Sequence, residues 1–377
     1  MSLISVECSL RRLLLVLALS SFWVSVGSGF EIGIFSSAGA GAFGEISQAG
    51  FDFVRGGSDE DYVVSARRFD LEAIPVAGTF VGEEPDWCGF LHRVDRLQSA
   101  EGLRRLFLTD EPDLNRVNEE TLNRARRILA GAGPGLLGAM SYVEGRSVRR
   151  FGREGDWAFL DVYPVGWAPL SSLGDEVAQA VDLAAGRFEV IAAIQAFDWS
   201  YFSEELVVDG RFRSPTYREL RFLVYDSIVK GAAGVAFYTY RVQDWRLREH
   251  PDLWANVMAI VREIQLMKTV LNGRRVEGEL RVRFEKPNLR FNGVRESSVD
   301  GCLFHVQDGD SRFGPGVYFV GVNTTPYAIG VSVFCPEFAT ESSIALIGEE
   351  STLPVRGGSI RMDMEPYDVI MLGPIGR

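Results

Sequence analysis

Eight short runs of β-forming apolar residues, each followed by a stretch with helical spacing, constrain this chain more than any other feature. The runs are Phe30 to Ser36, Phe51 to Gly57, Leu71 to Gly78, Leu106 to Asp110, Leu136 to Tyr142, Trp157 to Tyr163, Val190 to Phe197 and Gly234 to Tyr240. They are nearly continuous in Ile, Val, Leu, Phe and Ala, as expected for strands covered on both faces. Such alternation predicts a parallel sheet with crossover helices. Eight units between residues 30 and 273 match the usual size of a (β/α)8 TIM barrel. An open doubly wound sheet is the runner-up, weakened because no Gly-rich phosphate loop follows the first strand.

Two helices are legible in detail. Ser214 is the expected N-cap and Pro215 the first helical position of a helix carrying Leu220, Leu223, Val224 and Ile228 on one face. The last helix is expected from Pro251 to Leu271, with Leu253, Val257, Ile260, Ile264, Met267 and Leu271 in a stripe and Gly273 as its stop. Beyond Gly273 the texture changes to short alternating strands: Leu280 to Phe284, Cys302 to Val306, Val317 to Val322, Ile329 to Phe334, Ile344 to Ile347 and Asp368 to Leu372. Residues 274–377 therefore read as a C-terminal β-sandwich, with turns at Asn323-Thr324-Thr325-Pro326 and Gly357-Gly358.

Residues 1–29 read as an export signal: Arg11-Arg12, an apolar run from Leu13 to Leu19, then the small residues Val26-Gly27-Ser28-Gly29. The apolar run is shorter than the roughly 20 residues needed to span hydrocarbon. A secreted or periplasmic protein is expected, with no membrane partner beyond the signal. The chain carries a net charge of −12, and loss of Glu7, Arg11 and Arg12 with the signal leaves −13, which argues against nucleic acid as a partner. After the signal three cysteines remain, so stability must come from packed cores; Cys302 and Cys335 are either a pair or two separate buried thiols. The three histidines, His92, His250 and His305, lack a His or Cys partner at ligand spacing, so neither metal nor cofactor is expected.

In a barrel of this kind the chemistry gathers at the C-terminal strand ends. Those ends carry Arg55 on the second strand, Asp110 and Glu111 on the fourth, Tyr142 on the fifth, Asp161 and Tyr163 on the sixth, Gln195 and Asp198 on the seventh, and Tyr238 and Tyr240 on the eighth. Trp87, Trp167, Trp199 and Trp245 follow in the loops. Sugar faces stack on aromatic rings while their hydroxyls need Arg, Asp, Gln and Tyr partners; the Phe197-Asp198-Trp199-Ser200-Tyr201-Phe202 cluster offers both. Leu108-Thr109-Asp110-Glu111-Pro112-Asp113 sets two adjacent carboxylates at the end of an apolar strand that proline stops. Adjacency and partial burial both disfavour ionisation, as a general acid requires. Because neighbours on a strand face opposite ways, Asp110 is expected to turn to the barrel interior or helix layer and Glu111 to the cleft.

These residues resemble the large clan of retaining (β/α)8 glycoside hydrolases, in which an Asn-Glu pair, often followed by Pro, ends the fourth strand and its Glu is the acid/base. Asp110, Glu111 and Pro112 match that position, and Arg55 and Tyr163 match an Arg and a Tyr familiar on the second and sixth strands. Pro215 through Glu219 to Gly231-Ala232-Ala233-Gly234-Val235 resembles the corresponding segment of uncharacterised barrel glycosidase-like proteins. Two departures matter: Asp110 stands for Asn, and Gln195 lies where the clan's nucleophilic Glu is expected. Gln cannot attack an anomeric carbon.

Three mechanisms follow. Glu111 is the acid and Asp161 or Asp198 the base; or Asp110 orients a substrate 2-acetamido nucleophile for Glu111; or Asp161 or Asp198 is the nucleophile. The expected catalytic set is thus Glu111, Asp161 and Asp110, with Arg55, Tyr142, Tyr163, Gln195, Asp198, Trp199 and Tyr238 contacting a carbohydrate substrate. The alternative is a catalytically inactive carbohydrate-binding protein, which Gln195 favours. Phosphate-handling barrels, metal hydrolases and serine hydrolases lack, respectively, their Gly-rich loop, His cluster and Gly-x-Ser-x-Gly elbow here.

Overall fold

The computed structural model describes residues 29–78, 80, 85–133, 135–202, 212–276, 281–284 and 298–375. The expected export signal lies outside them except for Gly29. Eight parallel strands, β1 (Glu31–Ser36), β2 (Phe53–Arg55), β3 (Glu72–Ile74), β4 (Arg105–Thr109), β5 (Leu137–Tyr142), β6 (Trp157–Leu160), β7 (Glu189–Gln195) and β8 (Gly234–Val242), follow the order β3-β2-β1-β8-β7-β6-β5-β4. The ring closes at Phe107, whose N–H donates to the Pro75 carbonyl and whose own carbonyl accepts from Ala77, both at 2.9 Å. The chain is a TIM barrel. Its interior is a packed aromatic core in which Phe53 meets Trp157 and Phe159 edge-on, with centroids 5.1 and 6.2 Å apart. Gly33 is required opposite Phe53, because a Cβ there would lie 2.0 Å from its ring.

Outside the strands lie α1 (Ala40–Ala49), α2 (Glu60–Arg67), α3 (Trp87–Leu97), α4 (Glu119–Ala132), the single turn α5 (Val148–Phe151), α6 (Ser172–Ala184), α7 (Tyr217–Val229) and α8 (Pro251–Leu271). Asp59, Asp86 and Asn118 cap α2, α3 and α4 by accepting from the N–H three residues on. Helix α7 begins later than expected. Its N-cap is Thr216, not Ser214, and a capping box with Glu219 satisfies the first turn from both sides. Helix α8 spans the expected residues, and its whole predicted stripe is buried.

A short strand, β9 (Trp245–Arg246), folds back on β8. The C-terminal strands are β10 (Arg274–Val276), β11 (Arg281–Phe284), β12 (Val299–Val306), β13 (Gly316–Asn323), β14 (Ile329–Phe334), β15 (Ser343–Ala345), β16 (Thr352–Arg356), β17 (Ser359–Met364) and β18 (Val369–Ile375). They form two antiparallel sheets, β10-β12-β13-β18 and β11-β14-β17-β16-β15. Alternation lets the first sheet serve two cores. Cys302, Phe304, Tyr318, Val320 and Met371 pack with the barrel core, while Leu303, Phe319, Ile370 and Leu372 pack with the second sheet. Strands β10, β16 and β17 were not expected; β16 and β17 are joined by Gly357 and Gly358 at φ of +57° and +73°, a two-residue hairpin of the kind that requires left-handed backbone. Cys302 and Cys335 are two separate buried thiols, not a pair. The domains are tied by Lys230–Asp300 at 2.7 Å and by Arg221 donating to the Val369 carbonyl at 3.1 Å.

Candidate active site

Arg55 ends β2 with its guanidinium over the rings of Phe107 at 3.5 Å and Phe35 at 4.4 Å. Held on that aromatic layer, it donates through Nη2 to Asp110 Oδ1 at 3.1 Å. Asp110, the first residue past β4, is 52% exposed in its side chain. It faces the mouth alongside Arg55, Asp161 and Tyr163 and not the helix layer, and Glu111 is held near it as well. The reason is backbone: Glu111 has φ of +40°, a left-handed conformation that breaks strand alternation at this residue. A non-glycine side chain held there carries roughly 1–3 kcal/mol of strain, which clusters at functional sites. Asp113 steadies the loop, its Oδ2 accepting from the N–H groups of Val143 and Glu144 at 3.2 and 3.1 Å.

The electrostatics separate the carboxyls. Burial, then Asp110 and Asp113, push Glu111 up to about 7 against the pull of Arg55. Asp161, one residue beyond β6, is buried; burial first and Asp110 second push it up to about 8, with Arg55 and the Ser141 hydroxyl opposing. Both groups thus hold protons into the neutral range. Burial thus disfavours the ionised Asp161 that a base would need, whereas Asp110 is paired with Arg55.

Aromatics wall the other side. Tyr163 stacks on Tyr238 with centroids 5.3 Å apart, and burial followed by the Asp161 charge pushes the Tyr238 hydroxyl up to about 12. Trp199 and the exposed Trp167 both donate their indole N–H to the Tyr163 carbonyl, at 3.1 and 2.6 Å. Asp198 caps the turn Trp199–Tyr201 by accepting from Ser200 N–H at 2.9 Å.

Two expected residues stand apart. Tyr142 points into the helix layer, where its hydroxyl meets Met140 Sδ at 3.8 Å and Arg126 of α4 approaches the same sulfur. Pleating sends the preceding residue, Ser141, toward Asp161 instead. Gln195 is fully buried, its Oε1 accepting from Val165 N–H at 3.0 Å and its Nε2 donating to the Phe197 carbonyl at 3.4 Å, so it fastens loops. Among the loop tryptophans, Trp87 packs on Phe80 and Phe90, and Trp245 is buried on His250. The sequence reading missed Ser141; its signal was a lone hydroxyl inside an apolar strand, on the face opposite Met140 and Tyr142.

No family profile and no curated protein matches this sequence. Solved structures match over nearly the whole fold. An α-amylase from Geobacillus thermoleovorans complexed with acarbose aligns over 91% of this chain and 97% of its own, with TM-score 0.55 and 10% identity. A β-L-arabinopyranosidase from Geobacillus stearothermophilus aligns over 92% and 96%, with TM-score 0.57 and 10% identity. A putative α-galactosidase from Bacteroides fragilis aligns over 93% and 79%, with TM-score 0.57 and 9% identity. At such identity the likeness is one of fold: a barrel followed by a C-terminal β-domain.

Proposed function

We propose that the protein is an exported glycoside hydrolase that cleaves an oligo- or polysaccharide at the barrel mouth, with Glu111 as general acid. The observation that carries this is the convergence of Asp110, Glu111 and Asp161 on one barrel mouth, where Asp110 pairs with Arg55 at 3.1 Å. Burial and the neighbouring carboxyls push Glu111 up to about 7. Glycoside hydrolysis uses a protonated carboxyl and a second carboxylate flanking the scissile bond, and we assign those roles to Glu111 and Asp110. Glu111 passes its proton to the glycosidic oxygen as that bond breaks. Asp110 either takes a proton from the attacking water and then releases it to solvent while solvent reprotonates Glu111, or itself attacks the anomeric carbon. In that second case the Glu111 carboxylate takes a proton from the water that cleaves the glycosyl–Asp110 ester, which restores both groups. Proton NMR of the first-formed sugar reads which: inversion for a base, retention for a nucleophile. Asp161, neutral and deeper, hydrogen-bonds the ring. The sugar-processing relatives in fold and the Tyr163, Trp167 and Trp199 wall support a carbohydrate substrate.

The test is turnover of a panel of aryl glycosides and neutral oligosaccharides by wild type and by Glu111→Gln. A loss of about 10²–10⁴-fold is expected for removing a general acid; unchanged turnover rejects the assignment. The buried, loop-fastening Gln195 favours a second reading, a carbohydrate binder without activity. Sugar binding by wild type with no turnover on any panel member selects it.

A further inference from the structure

Four polar atoms at the floor of the mouth are buried and lack a hydrogen bond of ordinary geometry within the protein: Arg55 Nε, Ser141 Oγ, Asp161 Oδ1 and Tyr163 Oη. The Ser141 hydroxyl lies near enough to favour the Asp161 anion, and it has no further partner among the described residues. They come from the ends of β2, β5 and β6 and from the segment after β6. They share one location. Asp161 and Tyr163 are electrostatic neighbours, Arg55 and Asp110 act on both, and Ser141 acts on Asp161. Below them the rings of Phe35, Phe107 and Phe159 pack against one another and close the barrel interior, so that layer offers them no polar partner. An unpaired buried polar group costs about 1–3 kcal/mol. Others occur singly or on one side chain at Arg105, Arg126, Tyr225 and Asp226, whereas here four side chains converge on one open mouth, which is what a ligand site requires.

Their chemistry narrows the ligand. Arg55 Nε only donates, while the Ser141 and Tyr163 hydroxyls and a neutral Asp161 carboxyl each donate and accept. Arg55 Nε needs an acceptor and the other three take either an acceptor or a donor, so hydroxyl groups, which accept and donate, answer all four. A carboxylate would compete with Asp110 for Arg55, and an ammonium, which only donates, would stand against Arg55. We propose that Ser141, Tyr163, Asp161 and the Nε edge of Arg55 form an inner subsite gripping two neighbouring hydroxyls of an uncharged sugar ring, with Ser141 the residue that distinguishes that ring from its deoxy counterpart. This rests on the carbohydrate reading above and names the substrate class of the same mouth. Ser141 takes no part in bond cleavage; it is a specificity residue one strand away from Asp110 and Glu111.

The experiment is equilibrium binding, by ligand-observed NMR, of glucose, galactose, arabinose, their monodeoxy analogues and glucuronate, to wild type, Ser141→Ala, Ser141→Cys and Tyr163→Phe. Thermal melts confirm that each variant is folded, and the near-isosteric Cys and Phe variants serve if Ala is not. At least one neutral sugar is expected to bind wild type, with glucuronate excluded. Ser141→Ala and Ser141→Cys are expected to weaken that sugar by about 3- to 10-fold, the worth of one neutral hydrogen bond, while leaving one particular deoxy analogue unchanged. Neutral sugar binding that ignores all three variants overturns the subsite but leaves the carbohydrate reading intact, as does glucuronate binding equal to that of neutral sugars. Absence of any sugar binding to wild type removes both.

Discussion

Replacing Asp161 by Asn should make the protein more stable, and increasingly so as pH rises. In the unfolded chain this carboxyl ionises near its ordinary value of 3.8, whereas in the folded barrel it does so only at about 8. A raised folded value means that its stabilising state is the protonated one: the contribution is complete below about pH 4 and is lost as pH rises toward 8. Each unit of pH within that window costs about 1.4 kcal/mol. By pH 7 the full loss would be about 4 kcal/mol, and relaxation of the buried cluster brings the expected figure to roughly 2–4 kcal/mol. Asn keeps the shape of the neutral acid and never ionises, so the variant escapes this loss. Urea melts of both proteins at pH 4.5, 6, 7.5 and 9 measure the difference directly. The difference should be smallest at pH 4.5, at most about 1 kcal/mol, widen through neutrality and be constant above about pH 8. Glu111 and the other raised carboxyls titrate in both proteins and largely cancel. A constant difference, or a variant weaker than wild type at pH 9, would refute the reasoning.

Other outcomes follow from the same contacts. Activity should fall as pH rises through about 7, because Glu111 must be protonated, and Glu111→Gln should abolish that limb of the kcat/KM profile. Gln195→Glu should cost about 1–3 kcal/mol and bring no activity, since a carboxylate can still accept from Val165 but cannot donate to Phe197; a gain in turnover would show that Gln195 faces substrate. Asp113→Ala should free the Val143 and Glu144 amides, lowering kcat through loss of Glu111 positioning and raising protease sensitivity between residues 111 and 116. Tyr142→Phe should leave sugar binding unchanged, as its hydroxyl meets only Met140.

The barrel was legible because its strands carry their signal locally: a strand buried on both faces is a run of apolar residues whatever its neighbours do. Helix α8 was legible to the residue for a related reason, a long stripe bounded by Pro251 and Gly273. Where competing local signals overlapped, the reading slipped. Ser214-Pro215 looks like a cap and first turn, but Thr216 with Glu219 satisfies two orphan donors and wins the helix start. Strand β17 alternates cleanly, with Ile360, Met362 and Met364 buried, yet it was missed because its partner β16 carries Pro354, a residue that reads as a break and is tolerated near a sheet edge.

The mouth resisted reading for a different reason: residue types at strand ends say which groups are near, while which face the mouth depends on single backbone angles. Strict alternation would have put Tyr142 and Glu111 in the mouth and Ser141 and Asp110 out of it. Pleating holds in β5, and there it places Ser141 toward Asp161 and Tyr142 against α4. At Glu111 the left-handed turn at φ +40° breaks the alternation, so adjacent residues can share one cleft. Glycine would adopt that turn without strain, and its absence is informative. Left-handed backbone also occurs at Asp70, Arg116, Ala185, Gln243 and Tyr367; what sets Glu111 apart is that the turn brings its carboxyl beside Asp110, and Glu111→Gly should relieve the backbone strain of about 1 kcal/mol or more while removing activity.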